Sequence, residues 1–488
     1  MRRNHWILAL AALALVATSH GRFLFPASAW LAPVVLVRFT RTAPSRWVLP
    51  GFVLIHTAGI SIAYLDLVPL PLPAMVGMFV ALSLVLGLLF LLDRRLARAS
   101  DRLVTTAVLP CGWLAYDYAS GLLSPNGSWG SIAYGLAGQT PVVQLASVTG
   151  WTGLTFLLVW CATTLNWAFD RRAAGQAYGR GLVALAVVLV AVVAFGTLRT
   201  SAASEGETVR FALLAGPDSF QGDHLEEVWR YTRGLELTQE QREAALGQIE
   251  SRREHQLELT ERALAEGARF AVWAEVNSAI TSAQEPAWLE RASEVARRQA
   301  GFVGLGLFVF RPDTDEPSQN RFVLFGPDGE LVWDFYKATR VPGDGHQVGD
   351  GRLPAVPTEL GLLSAAICFD MDFPQLFHQV GAAGVDVLIA PSNDWEEVRH
   401  VHADMAMLRA VEQGFNLVRP TKDGVALVSD PYGRVLEQLE TVERGRDFVL
   451  VADVPTEGVR TLYSRIGDLF AQIACIGLAL SLIAWRRL

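Results

Sequence analysis

The chain has 488 residues, 51% of them hydrophobic and only 18% charged, and a net charge of -8. That is too apolar for one soluble domain and too long for one compact core, so a membrane protein carrying a water-soluble domain is expected. No stripe of Lys and Arg marks a nucleic-acid surface.

A bilayer is crossed by about 20 apolar residues in helical form. Runs of this kind lie at Trp6 to Ser19, Phe23 to Val37, Trp47 to Leu65, Leu72 to Leu92, Leu103 to Ala119, Trp151 to Phe169 and Gly181 to Leu198. The first two are short, and Arg2 and Arg3 before the first also fit a cleaved signal peptide. The spans that follow favour a retained helix. Arginines at 2, 3, 38, 41, 46, 94, 95, 98, 102, 171, 172 and 180 fall on alternate connections, which positive-inside bias assigns to the cytoplasm. The seventh helix then exits outward and delivers everything after about Thr200 to the periplasmic side. A last run, Leu469 to Trp485, ends in Arg486 and Arg487 and returns the C-terminus inside. The expected layout is a seven-helix transmembrane domain over 1–200, a soluble domain over 205–462 and a C-terminal transmembrane helix over 466–488. The loop Ser120 to Gly150 is rich in Gly and aromatics, suited to an interfacial opening or an ordinary aromatic anchor.

From Thr208 to Val454 the pattern becomes α/β. Expected strands are Val209 to Leu214, Phe270 to Trp273, Phe302 to Phe310, Arg321 to Phe325, Leu331 to Tyr336, Val387 to Ala390, Asn416 to Pro420 and Val425 to Ser429, with a further one ending at Cys368. Helices are expected over Thr238 to Gly267, Trp288 to Gln299, Gln375 to Ala383 and Ala403 to Gln413. Alternating helices and hairpin-joined strands predict a layered α/β sandwich.

Of the four cysteines, Cys111, Cys161 and Cys475 lie in apolar stretches, which leaves Cys368 without a disulfide partner in its own domain. A free cysteine is most often a core residue. Here, however, FAVWAE ends a strand in the carboxylate of Glu275, LVWDFYK ends another in the ammonium of Lys337, and GLLSAAIC ends a third in the thiol. Acyl transfer through a thioester needs such a set: a nucleophile, a base for its proton, and a cation that favours the thiolate and the developing oxyanion. Nine histidines show no paired metal-ligand spacing, so no metal or cofactor is expected.

The order Glu, Lys, Cys in these settings resembles the nitrilase or carbon–nitrogen hydrolase superfamily. ICFDMDFP, SNDW at Ser392 to Trp395, HADMAMLRAVE at His402 to Glu412, and TLYSRIGDLF before the last span are similar to its membrane branch, the apolipoprotein N-acyltransferase family. The resemblance implies an α-helical membrane domain plus an αββα sandwich, with Glu275 as general base, Lys337 as stabiliser of oxyanion and thiolate, and Cys368 as the acylated residue. By position it also brings in Phe369 and Asp370 beside the nucleophile, Asp344 in the loop after Lys337, Trp229 and Trp395. It implies a phospholipid donor, an apolipoprotein acceptor, and a multi-pass protein of the bacterial inner membrane with a periplasmic catalytic domain. A membrane-anchored amidase, with water attacking the thioester, is the alternative that keeps the same triad. Departures fall in the loops: VPGDGH carries Asp344 one residue out of register with His346 nearby, Trp273-Ala274-Glu275 lacks the family's Pro, and Lys422-Asp423 stands before Gly424 in place of Asn-Thr.

Overall fold

A computed structural model describes residues 3–68, 70–201, 206–216, 225–232, 235–311, 314–443 and 446–485. It divides into two compact units, Met1–Ala203 with Thr461–Leu488, and Ser204–Arg460. Arg2, Arg486 and Arg487 lie outside the described residues.

In the first unit every apolar run carries a helix: Arg3–Ala17, Pro26–Thr42, Ser45–Ala63, Leu72–Ala99, Val108–Leu123, Trp151–Ala173, Gly179–Ser201 and Leu469–Trp485. Four of these, Ser45–Ala63, Leu72–Ala99, Trp151–Ala173 and Gly179–Ser201, are long and apolar enough to cross a membrane. The fifth run differs from the expectation. Leu103–Ala107 is a 3-10 turn, and the helix proper starts at Val108. Near one set of helix ends the buried Arg41 guanidinium grips Asp93 through two 2.8 Å hydrogen bonds. The loop after Ser124 folds back and lines a cavity of about 280 Å³ together with Tyr64, Phe79, Asp117 and Trp151. At its base the Asp117 carboxylate accepts hydrogen bonds from Ser131 and Thr155.

The second unit is built on the strands β1 (Thr208–Ala215), β2 (Phe270–Trp273), β3 (Ser278–Thr281), β4 (Phe302–Phe310), β5 (Gln319–Phe325), β6 (Leu331–Tyr336), β7 (Val356–Thr358), β8 (Gly361–Ala365), β9 (Val387–Ile389), β10 (Ser392–Asn393), β11 (Asn416–Arg419), β12 (Thr421–Lys422), β13 (Val425–Ser429), β14 (Val435–Glu440) and β15 (Phe448–Pro455). One sheet runs β15-β1-β2-β4-β5-β6 with β3 beside β4, and the other runs β14-β13-β11-β9-β8-β7. Inner faces of both sheets meet in one core, with Phe211, Phe270 and Phe302 from the first sheet and Leu363, Val387 and Leu417 from the second. The three phenylalanine rings stack across neighbouring strands at 4.2 Å spacing. The outer face of the first sheet buries Leu214, Ala271 and Trp273 against the helices Gln239–Ala265 and Glu285–Gln299. Helices His378–Ala383 and Arg399–Gln413 flank the second sheet. Because both faces of the central strands are covered, FAVW can be apolar at every position, with Phe270 and Val272 facing one core and Ala271 and Trp273 the other. The long helix starts in a capping box, Thr238 with Gln241, that satisfies otherwise orphaned N–H groups.

Strands β14 and β15 were not expected from the sequence, and β15 closes the first sheet by pairing antiparallel with β1. The strand expected to run to Cys368 stops at Ala365, because the chain turns away into a 3-10 segment, Cys368–Asp372.

One glycine sets the path of the chain beside Glu275. A Cβ on Gly306 would lie 2.0 Å from the Ala274 carbonyl oxygen and 2.9 Å from Glu275 Cα. Gly306→Ala is therefore expected to cost about 2–3 kcal/mol through overpacking. A thermal-unfolding midpoint lowered by several degrees checks this; an unchanged midpoint would show that the strand yields without cost.

Candidate active site

Strand C-termini deliver the chemistry. β1, β2 and β4 run parallel, as do β8, β9 and β11, so the residues following β2 and β8 emerge at carboxyl edges, where α/β folds bind ligands.

Glu275 lies two residues past β2 and is 3% exposed. Its Oε1 accepts a 2.7 Å hydrogen bond from Lys337 Nζ and another of 2.7 Å from Asn320 Nδ2. Lys337 directly follows β6, and its backbone is fixed by N–H donation to the Asn320 carbonyl and by acceptance from Gly349 N. Burial on its own would lower the Lys337 pKa, but the charge of Glu275, with smaller help from Cys368 and Asp370, holds it above the usual lysine range. The two form a buried ion pair.

Cys368 adopts φ +46, a left-handed conformation that costs a non-glycine residue of order 1–2 kcal/mol. The turn is held by Cys368 N donating to the Pro391 carbonyl and by Asp370. Burial pushes the thiol up, Glu275 adds to that, and Lys337 and His402 oppose it. The sulfur rests as a thiol and needs a base at the moment of attack.

Asp370 is wholly buried, with its carboxylate taken up by backbone. It accepts from the N–H groups of Ile367, Ala338 and Thr339 and from the Thr339 hydroxyl, at 2.6 to 3.3 Å. Burial raises it to about 6 despite those donors. It fastens the segment after Lys337 to the turn holding Cys368. Phe369 is buried edge-on against Phe373, with ring centres 5.3 Å apart. Trp395 is half-buried and lies edge-to-face with His402.

Asp344 follows in the loop after Lys337. It is exposed, and its carboxylate lies 3.7 Å from His346 Nδ1. His346, two residues on, is the buried member of that loop, and burial and then the charge of Lys337 hold its pKa below the ordinary value. Trp229 sits on the helix Leu225–Thr232, but its side chain lies outside the described residues.

Several buried polar residues around the sulfur escaped the sequence reading. Besides Asn320, they are Asp372, Asp394, His402 and Arg419. The available signal was a polar residue at the end of a strand that is otherwise buried, as with Asn320 in QNRFVLF and Arg419 in NLVR. The atoms of Cys368, Asp394 and His402 that could hold a metal lie within 4.8 Å of one another. Both Asp394 oxygens, however, already accept from Arg419 Nη2 at 3.1 and 2.8 Å, so its charge is already met by a guanidinium.

A two-sheet α/β unit with a buried Glu–Lys pair and a strained cysteine at its strand ends is a thiol enzyme domain of the carbon–nitrogen hydrolase type. The family model described as carbon-nitrogen hydrolase matches residues 243–463, and the one described as apolipoprotein N-acyltransferase N-terminal domain matches residues 3–164. Both matches point to the apolipoprotein N-acyltransferase family, to whose members the chain is similar over most of its length. It is 24% identical over 420 residues to an apolipoprotein N-acyltransferase of Geobacter metallireducens, covering 80% of this chain and 76% of that one. To its Shewanella oneidensis namesake it is 26% identical over 454 residues, covering 84% and 81%. Among solved structures, an amidase from Nesterenkonia sp. AN1 overlays 54% of this chain and 96% of its own at 18% identity and a TM-score of 0.41.

Proposed function

We propose that this membrane protein moves an acyl chain from a phospholipid to the α-amine of a diacylglyceryl-cysteine at the N-terminus of an apolipoprotein. The observation that carries the reading is the Glu275–Lys337 ion pair, buried beside a thiol that burial keeps protonated.

In the first step Cys368 Sγ attacks the ester carbonyl of the phospholipid as Glu275 takes the thiol proton, and the Lys337 ammonium stabilises the developing oxyanion. The ester C–O bond breaks, the departing glycerol oxygen takes the proton back from Glu275, and lysophospholipid leaves. In the second step the acceptor amine attacks the thioester and gives its proton to Glu275. The C–S bond then breaks, the thiolate is re-protonated, and an amide is released. Glu275 acts as base, acid and base in turn. Water has to be kept from the thioester, which fits the burial of all three groups. Both substrates are lipids, which is the physical reason for a thiol enzyme to be carried by apolar helices. In this reading the helices of 1–200 and 466–488 span the bacterial inner membrane, and the unit over 205–462 faces the periplasm.

Purified protein incubated with labelled phospholipid and a diacylated lipopeptide is expected to yield triacylated lipopeptide, read by mass. Free fatty acid alone, or ammonia from simple amides, would favour the amidase chemistry and overturn transfer.

A further inference from the structure

The sulfur of Cys368 has a second charged neighbourhood besides Lys337. His402, in the first turn of the helix Arg399–Gln413, is buried with Nδ1 2.9 Å from Asp394 Oδ1 and Nε2 3.4 Å from Asp372 Oδ2. Asp394 is in turn held by Arg419, whose Nη1 donates to the Thr421 hydroxyl and to the Val425 carbonyl at 2.8 Å each. A neutral imidazole has one N–H and one lone pair, so it can satisfy only one of two facing carboxylates. The imidazolium is attracted to both, at hydrogen-bonding distance from Asp394 and at ion-pair distance from Asp372. A cation in the first turn of a helix is also opposed by the helix dipole, so two carboxylates are needed to hold it there.

We propose that His402 is a permanent imidazolium and a positioning residue for the Cys368 sulfur, whose charge raises the thiolate fraction and so sets the reactivity of the nucleophile. The sulfur, a His402 ring nitrogen and an Asp394 oxygen lie within 4.8 Å of one another. The charged groups bearing on this pair are Asp372 from the turn after β8, Asp394 after β10, Arg419 from β11, Glu275 after β2 and Lys337 after β6. Asp372, Asp394, His402 and Arg419 sum to zero charge. Loss of the imidazolium leaves one net negative charge beside the sulfur. Burial alone would lower the His402 pKa, but Asp372 and Asp394 outweigh it and hold the ring well above the ordinary value.

The inference rests on Cys368 being the acylated residue, and its test does not use acyl transfer. Alkylation of Cys368 by iodoacetamide is followed by intact mass against pH in the full-length protein in detergent, with Cys368→Ala as the blank. His402→Gln is expected to move the midpoint of the rate–pH curve upward by about one unit or more, the scale set by an opposite charge at this distance, and to slow alkylation about tenfold below the midpoint. Superimposable curves for wild type and His402→Gln would overturn the proposal, and a merely structural histidine would leave the midpoint in place. A second measurement needs no variant: solid-state 15N spectra of histidine-labelled wild type at pH 8.5 should retain an imidazolium signal. Its absence would also overturn the proposal. Failure to form triacylated lipopeptide would strike the proposed function and leave these two results standing.

Discussion

Glu275→Gln is expected to destabilise the protein by roughly 3 kcal/mol or more, the cost of leaving an uncompensated buried charge, and to cut acyl transfer by about 10³-fold. Gln can still accept from Lys337 Nζ and Asn320 Nδ2 through its Oε1, so the loss comes from charge and basicity rather than from a missing hydrogen bond. The ammonium, 3% exposed at its side chain, then has no carboxylate at hydrogen-bonding distance among the described residues. Adding Lys337→Met removes the stranded charge. The double variant should recover stability to within about 1 kcal/mol of wild type, since neither charge of the buried pair is then left without its partner. It should recover no transfer. Thermal unfolding of the four proteins in the cycle, with product mass for activity, checks both arms. A double variant as unstable as the single one would show that the pair is not an isolated couple.

Cys368→Ala should abolish the acyl adduct and lower transfer by about 10³-fold or more, the scale met when a nucleophile is removed from a concerted set. Intact mass after exposure to phospholipid reads the adduct directly, and its survival in the variant would show that another residue is acylated. Stability carries a separate signal here. Alanine retains the left-handed φ of +46 that cysteine bears, whereas glycine adopts it freely. Cys368→Gly should therefore be more stable than Cys368→Ala by about 1 kcal/mol, after allowing for the flexibility glycine adds to the unfolded chain. Equal unfolding midpoints would mean that the turn stores no strain. Val276, next to Glu275, shares this conformation with φ +58, so strain lies at or beside two of the three residues proposed to react.

The layered α/β architecture was legible because several central strands are short, nearly continuous apolar runs, and FAVW, VLI and VALVS do not alternate at helical period. Glu275 and Lys337 were legible because each polar group follows an apolar strand without a gap of more than one residue. The turn at Cys368 was not. AAIC continues the hydrophobic run, and the bend comes from the left-handed φ of Cys368 and from Asp370 accepting the Ile367 N–H, neither of which the run announces. Strand β14 was hidden because its residues are mostly exposed, so its sequence carries no burial signal. The ion set of Asp372, Asp394, His402 and Arg419 draws on four separate segments, and no spacing rule links them. Asp344 attracted notice by register alone, yet it is His346 that the loop buries.

The pairing of β1 with β15 brings Thr208 opposite Pro455. The chain therefore enters and leaves the sandwich about 5 Å apart, the separation of facing residues in an antiparallel pair. A unit whose own first and last strands lie side by side offers two neighbouring cuts, so it can be excised or grafted in the laboratory without pulling its ends apart.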